Sequence, residues 1–152
     1  MRGAGGASPA VLAAVLAART DRIRLGSGSV LLTNHQPLVV AEQFAALAAA
    51  YPSRIDLGVS KASAVPPSTA AALGLAEKGW DSFPQRLDEL CRFLRDGLPG
   101  RAPVGDVRLA LAGLPPPVFV MTDSPAGAQA TSRSTSTSTR SPEVRRIVAR
   151  RC

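Results

Sequence analysis

The order of apolar and polar positions along the chain predicts alternating helices and strands. Ser8 can cap a helix and Pro9 fits its first position, after which Val11, Leu12, Val15 and Leu16 recur at helical spacing as far as Arg19–Asp21. Ile23 to Leu32 is aliphatic and β-branched, so it reads as a strand, and the small residues at its centre suggest a close approach by another group. Thr33-Asn34-His35-Gln36 is a polar loop. Pro37 opens a second helix that runs to about Ala50, with Val39, Val40, Phe44 and Leu47 forming its apolar face. Tyr51-Pro52 ends that helix, and Arg54 to Val59 reads as a buried strand. A strand, helix and strand with this connection length form a parallel crossover unit.

The pattern then loosens. Lys61 to Ser82 is loop-like, with a short helix expected over Ala70 to Leu75. Phe83 to Asp96 is amphipathic, with Phe83, Leu87, Leu90 and Leu94 on one face. Gly97 to Asp106 is turn-rich, Val107 to Ala112 reads as a short strand or extended segment, and Pro117 to Met121 as another buried strand. Thr131 to Ser141 is almost entirely Ser, Thr and Arg and cannot build a core. Residues 1–130 therefore read as the folded body and 131–152 as a disordered basic tail.

Composition adds three constraints. The chain has 152 residues, 45% of them hydrophobic and 19% charged, which suits one globular domain. The net charge of +7 suggests nucleic acid until it is located: residues from Arg133 onward carry +5 of it, leaving +2 for the body. An arginine tail could contact phosphates, but an aromatic content of 4% supplies no stacking platform, so nucleic acid is the weaker reading. No apolar run reaches the roughly 18–20 residues of a membrane span, and Met1 to Pro9 has no secretory pattern, so the expected location is the cytoplasm. Cys91 and Cys152 give neither a disulfide framework nor metal spacing, and Cys91 beside Leu90 and Leu94 reads as a packed thiol. One histidine cannot make a multi-histidine metal site, and no metal is expected.

The block "SPAVLAAVLAARTDRIRLGSGSVLLTNHQPLVVAEQFAALAAAYPSRIDLGVSKA" resembles the luciferase-like flavin-dependent monooxygenases. Members of that family show an alanine-rich helix, "RT..IRLG.G...L..H.P...AEQ" and then "GRIDLG.GR". A weaker match runs through "FPQRLDELCRFL" to "PPVFVMTDSPAGAQA". The resemblance implies an α/β fold, a partial TIM (β/α)8 barrel, with Ile23–Leu32, Arg54–Val59 and Pro117–Met121 as its third, fourth and fifth strands. The family's first two strands would lie before Met1. A whole barrel needs about 250 residues, so a truncated or frame-shifted member is expected, inactive if the missing strands are essential.

Ligands of such barrels sit at the C-terminal strand ends. The small residues Gly26, Ser27, Gly28 and Ser29 would let a flat isoalloxazine press on the backbone, and the resemblance places a non-proline cis peptide at Gly28–Ser29 beneath it. The competing reading is a strand whose glycines serve tight packing. A dinucleotide fingerprint is a poor alternative, because Val30-Leu31-Leu32 continues a strand where a helix should follow. His35 can line the pocket as a candidate catalytic residue, or stand solvated on its loop. Lys61 stands where the family often has a phosphate-binding arginine, keeping the charge without the planar fork. Ser124 matches a family serine at the flavin phosphate, or is a turn residue beside Pro125. Glu42, on an otherwise apolar stretch, is expected to pair with Arg54 in a structural role, with a catalytic base as the alternative.

The resemblance implies reduced FMN, dioxygen, an organic substrate such as an aldehyde or ketone, and a separate flavin reductase as partner, with oligomerisation open. A deazaflavin-dependent oxidoreductase on the same scaffold is the alternative.

Overall fold

The computed structural model describes residues 8–61, 67–74, 83–96, 115–121 and 147–150. Its elements are α1 (Pro9–Ala18), β1 (Leu25–Gly26), β2 (Val30–Leu31), α2 (Pro37–Ala50), β3 (Ile55–Ser60), α3 (Pro67–Ala72), α4 (Phe83–Asp96), β4 (Val118–Met121) and β5 (Ile147–Arg150). The expected extended segment at 107–112, Ser124, and the tail apart from β5 lie outside the described residues.

The strand expected over 23–32 is two short pieces. Both pair in parallel with β3, but not in one register. Leu25 and Gly26 stand opposite Ile55 and Asp56, whereas Val30 and Leu31 stand opposite Val59 and Ser60. One extra residue on the outer strand is taken up between them, as in a β-bulge. β4 continues the sheet in parallel beyond β3, with Leu57 opposite Val118 and Ser60 opposite Met121. β5 pairs antiparallel with β4, a direction that no strand of an all-parallel barrel takes.

Alternation along the strands sorts the two faces. Val30, Ile55, Leu57, Val59, Val118 and Val120 are buried in one cluster with Phe44 of α2 and Leu87, Leu90 and Leu94 of α4. Asp56, Gly58, Ser60, Phe119 and Met121 occupy the opposite face and are, apart from the buried Gly58, only half-buried. The amphipathic reading of α4 holds, and α2 and α4 pack on each other. Cys91 is buried as expected, but its sulfur is in a disulfide, so the thiol is not there.

Ser8 caps α1 by accepting from Val11 N–H at 3.5 Å. The helix turns its alanines inward: Ala10, Ala13 and Ala17 are buried, while Val11 (61%) and Leu12 (57%) are the most exposed of its large apolar residues. Small side chains let the helix lie close to the sheet and to α2. The larger ones form an outward apolar face with Val15 and Leu16. The short helix α3 sits three residues earlier than the spacing of Ala70 to Leu75 suggests.

The lower, N-terminal end of the sheet is tied by two arginines. The guanidinium of Arg24 meets the Asp56 carboxylate at 2.5 and 3.2 Å and donates to Ser53 O at 2.9 Å. Arg54 donates to Ala17 O (3.4 Å), Ile23 O (3.0 Å) and Thr20 Oγ1 (2.8 Å), and lies 5.7 Å from the centre of the Tyr51 ring. The expected Glu42–Arg54 pair is therefore not formed. The guanidinium's donors are taken instead by Ala17 O in the last turn of α1, where the helix dipole favours a cation, and by Thr20 Oγ1 and Ile23 O in the connection that follows. Glu42 is half-buried and makes no ion pair among the described residues.

Candidate functional site

The register slip lies between β1 and β2, opposite the middle of β3, and the serines on either side of it close the gap. Ser27 Oγ donates to Gly58 O at 2.9 Å and accepts from Gly58 N–H at 2.9 Å. A side-chain hydroxyl thus takes the place of a strand backbone, satisfying both polar groups of Gly58 where the ladder breaks. Ser27 N–H reaches back to Asp56 O at 3.3 Å. Two residues on, Ser29 Oγ and Ser60 Oγ lie 2.5 Å apart, with either able to donate. Leu32 N–H donates to Ser60 O at 3.0 Å and completes the repair.

Between the serines, the Gly28–Ser29 peptide is cis. Gly28 is exposed, and a Cβ built on it would have nothing within 4 Å. Gly26 is tighter, since its Cβ would stand 3.2 Å from Asp56 Cβ. The two glycines therefore differ. Gly26 sits close against the neighbouring strand, as the packing reading requires. Gly28 presents bare backbone to open space, flanked by hydroxyls already engaged with β3. A planar ring can approach such a surface without displacing a side chain. The residues present fit a flat cofactor on that observation.

The other candidates stand around this end. Lys61 follows Ser60 directly and is exposed. The loop after β2 turns back on itself through Asn34 N–H to Leu31 O at 2.9 Å, with Thr33 buried beneath it. His35 is exposed at the crest of that loop, yet protein packed around part of its ring lowers its pKa from the ordinary value by desolvation. Ser124 lies outside the described residues. Among the described residues no cluster of His, Cys, Asp or Glu could hold a metal ion. No described helix is long and apolar enough to cross a membrane.

Sequence reasoning placed Ser60 with Lys61 at the end of its strand but missed its pairing with Ser29, and it missed Gly58 and Arg86 altogether. The pairing role of Ser60 has no local signal. Gly58 does have one, a glycine interrupting the aliphatic strand Ile55 to Val59. Arg86 of α4, which donates to His35 O at 3.0 Å, lies 51 residues away in sequence and reads as one charge on a solvated face.

A largely parallel α/β sheet with helices packed against one face, opened by small residues between β1 and β2, defines the class of fold as mixed α/β. The model of the luciferase-like monooxygenases matches residues 2–149, and the chain belongs to that family. A luciferase-like monooxygenase of Escherichia coli (strain K12) is 44% identical over 107 residues, which cover 68% of this chain and 32% of the relative. An N-acetyl-S-alkylcysteine monooxygenase of Bacillus subtilis (strain 168) is 45% identical over 95 residues, covering 62% of this chain and 28% of the relative. The crystal structure of apo-MsnO8 superposes with a TM-score of 0.64 at 36% identity, over 83% of this chain and 36% of that one. A more distant relative is the F420-dependent glucose-6-phosphate dehydrogenase of Tsukamurella paurometabola, 35% identical over 98 residues, 60% of this chain and 28% of the relative. The chain thus spans about a third of the length of the curated relatives it matches, at 32% and 37% for two of them.

Proposed function

We propose that this chain forms the cofactor-facing part of a flavin-dependent monooxygenase, with the ring of reduced FMN seated on Gly28 between Ser27 and Ser29. The observation that carries the reading is the open approach to Gly28 at a strand end whose flanking hydroxyls are held by β3. Lys61, placed directly after β3, supplies a positive charge for the cofactor's phosphate, and Ser124 a hydroxyl. His35 lines the rim of the substrate side. When bound, reduced flavin supplies the activation of dioxygen needed to oxygenate an organic substrate. The protein's part is to hold the ring flat and to keep water from it. The reduced cofactor would come from a separate reductase, and the reading places the protein in the cytoplasm.

A second reading rests on the F420-dependent relative: a deazaflavin-dependent oxidoreductase on the same seat. One titration separates them. Reduced FMN and reduced F420 are added anaerobically to the full chain and to Gly28→Val, and cofactor fluorescence is followed. Saturable binding of FMN by the wild type, weakened at least tenfold in Gly28→Val, supports the first reading. Preference for F420 supports the second. Binding of either that is indifferent to Gly28→Val removes the seat from this place.

A further inference from the structure

We propose that Arg86 is a positioning residue, fixing the His35 loop against the cofactor-bearing strand end from the neighbouring helix α4. The inference deepens the proposed function, because it concerns the rim of the same site. The loop from Thr33 to Gln36 is anchored at its two ends, by buried Thr33 and by buried Pro37. Its crest, His35 and Gln36, is exposed. Gln36 is the N-cap of α2, yet its side chain makes no capping hydrogen bond. The local interaction that ordinarily fixes the chain's entry into a helix is missing here. The crest is held instead from outside, by Arg86 Nη1 donating to His35 O at 3.0 Å.

The helix that delivers this bond is itself fixed. Leu87, next to Arg86, and Leu90, Cys91 and Leu94 are buried, and α4 packs on α2. A rigid helix face thus carries the side chain of half-buried Arg86 to the carbonyl at the crest of the loop. The choice of residue also argues for the role. The bond places a cation two residues before the start of α2, the end at which a helix dipole disfavours positive charge. Stability of α2 alone does not ask for an arginine there. Reach does: a long side chain is needed to cross from α4 to the loop backbone.

The loop carries the chain's one histidine, and this makes the test direct. Amide hydrogen exchange at 34–36 and the single imidazole NMR resonance are recorded on the full chain without ligand, for wild type, R86M, R86K and R92M. Arg92 is exposed on the same helix and serves as the control. In R86M, exchange at 34–36 accelerates about tenfold and the imidazole signal moves toward its free-peptide position, while protection in α4 and β3 is kept. R86K lies between wild type and R86M, and R92M matches wild type. Reduced FMN then binds R86M about three- to tenfold more weakly, the effect of losing the hydrogen bond to His35 O acting through the loop. Unchanged exchange and an unmoved imidazole signal in R86M overturn the proposal. If R86M does not fold, R86K decides it by the same two signals. Failure of the wild type to bind FMN, with the loop effects present, overturns the flavin reading and leaves the positioning role standing.

Discussion

The carbonyl oxygen of Ser27 lies over Gly58 so closely that a Cβ on Gly58 would meet it at 2.0 Å. The same serine's hydroxyl holds both the N–H and the C=O of Gly58 at 2.9 Å. Contact and hydrogen bonds together set where the outer strand changes register. Nothing at Gly58 can yield cheaply, because the atom in the way is backbone. Gly58→Ala is therefore expected to lose about 1–3 kcal/mol, and more if β1 and β2 must separate from β3. Urea unfolding of the full chain measures it. A loss below about 0.5 kcal/mol would show that the close approach is not kept in solution.

Arg54 offers a second stability test at the other end of the sheet. Its donors reach three acceptors on α1 and the turn after it, so Arg54→Met is expected to cost about 1.5–3 kcal/mol. Arg54→Lys should recover only part, since one ammonium cannot span acceptors arranged for a planar fork. Glu42→Gln should be nearly neutral, within about 0.5 kcal/mol, because no ion pair is lost. Thermal unfolding of the three variants ranks them. A cost for Glu42→Gln equal to that of Arg54→Met would restore the pair that the sequence suggested.

These two sites also show what a sequence can and cannot reveal. The helices α2 and α4 were legible because burial imposes a 3.6-residue period that needs no partner to be seen, as Leu87, Leu90 and Leu94 illustrate. The small residues of Gly26–Ser29 were legible as a place of close approach, and Gly26 does lie close against Asp56 while Gly28 stands open. The division of this stretch into β1 and β2 was not legible. A one-residue slip is a relation between two strands, and apolar alternation within one strand does not record it. Arg54 was matched to the wrong acceptor for a similar reason. Charges are visible in a sequence, whereas a backbone carbonyl such as Ala17 O or Ile23 O is the same in every residue. Arg86 was missed because the carbonyl it binds belongs to the backbone of His35, not to its side chain.

His35 predicts how stability responds to pH. Its ring titrates below the ordinary 6.5 because part of its hydration is lost on folding. The unfolded chain, titrating near 6.5, therefore binds more protons than the folded one between 6.5 and the lower folded value. Within that window stability from this group rises with pH. It is fully present above 6.5 and lost as pH falls through the window toward the folded value. His35→Gln removes the titration. The melting temperature of wild type relative to His35→Gln should fall from about pH 7.5 to pH 5.5 and stay level above neutrality. A difference that is flat across this range, or that grows on acidification, would contradict a desolvated ring.

Ser29 and Ser60 give the most local test of the strand end. Their hydroxyl oxygens stand 2.5 Å apart, at the short limit for such a bond, and both side chains are half-buried. Ser29→Ala and Ser60→Ala should each cost about 0.5–1.5 kcal/mol, since each leaves a partner hydroxyl facing a methyl group. The double variant leaves no such hydroxyl behind, so its cost should match one single variant, not the sum of two. The coupling read from that cycle, about 0.5–1.5 kcal/mol, belongs to the pair itself. The register explains why it is worth measuring. Ser60 lies opposite Leu31, and the hydroxyl bridge to Ser29 holds the strand just after the slip, where backbone pairing has only resumed at Val30. Strictly additive costs would mean that the two hydroxyls do not meet in solution, and that β2 is held to β3 by its backbone alone.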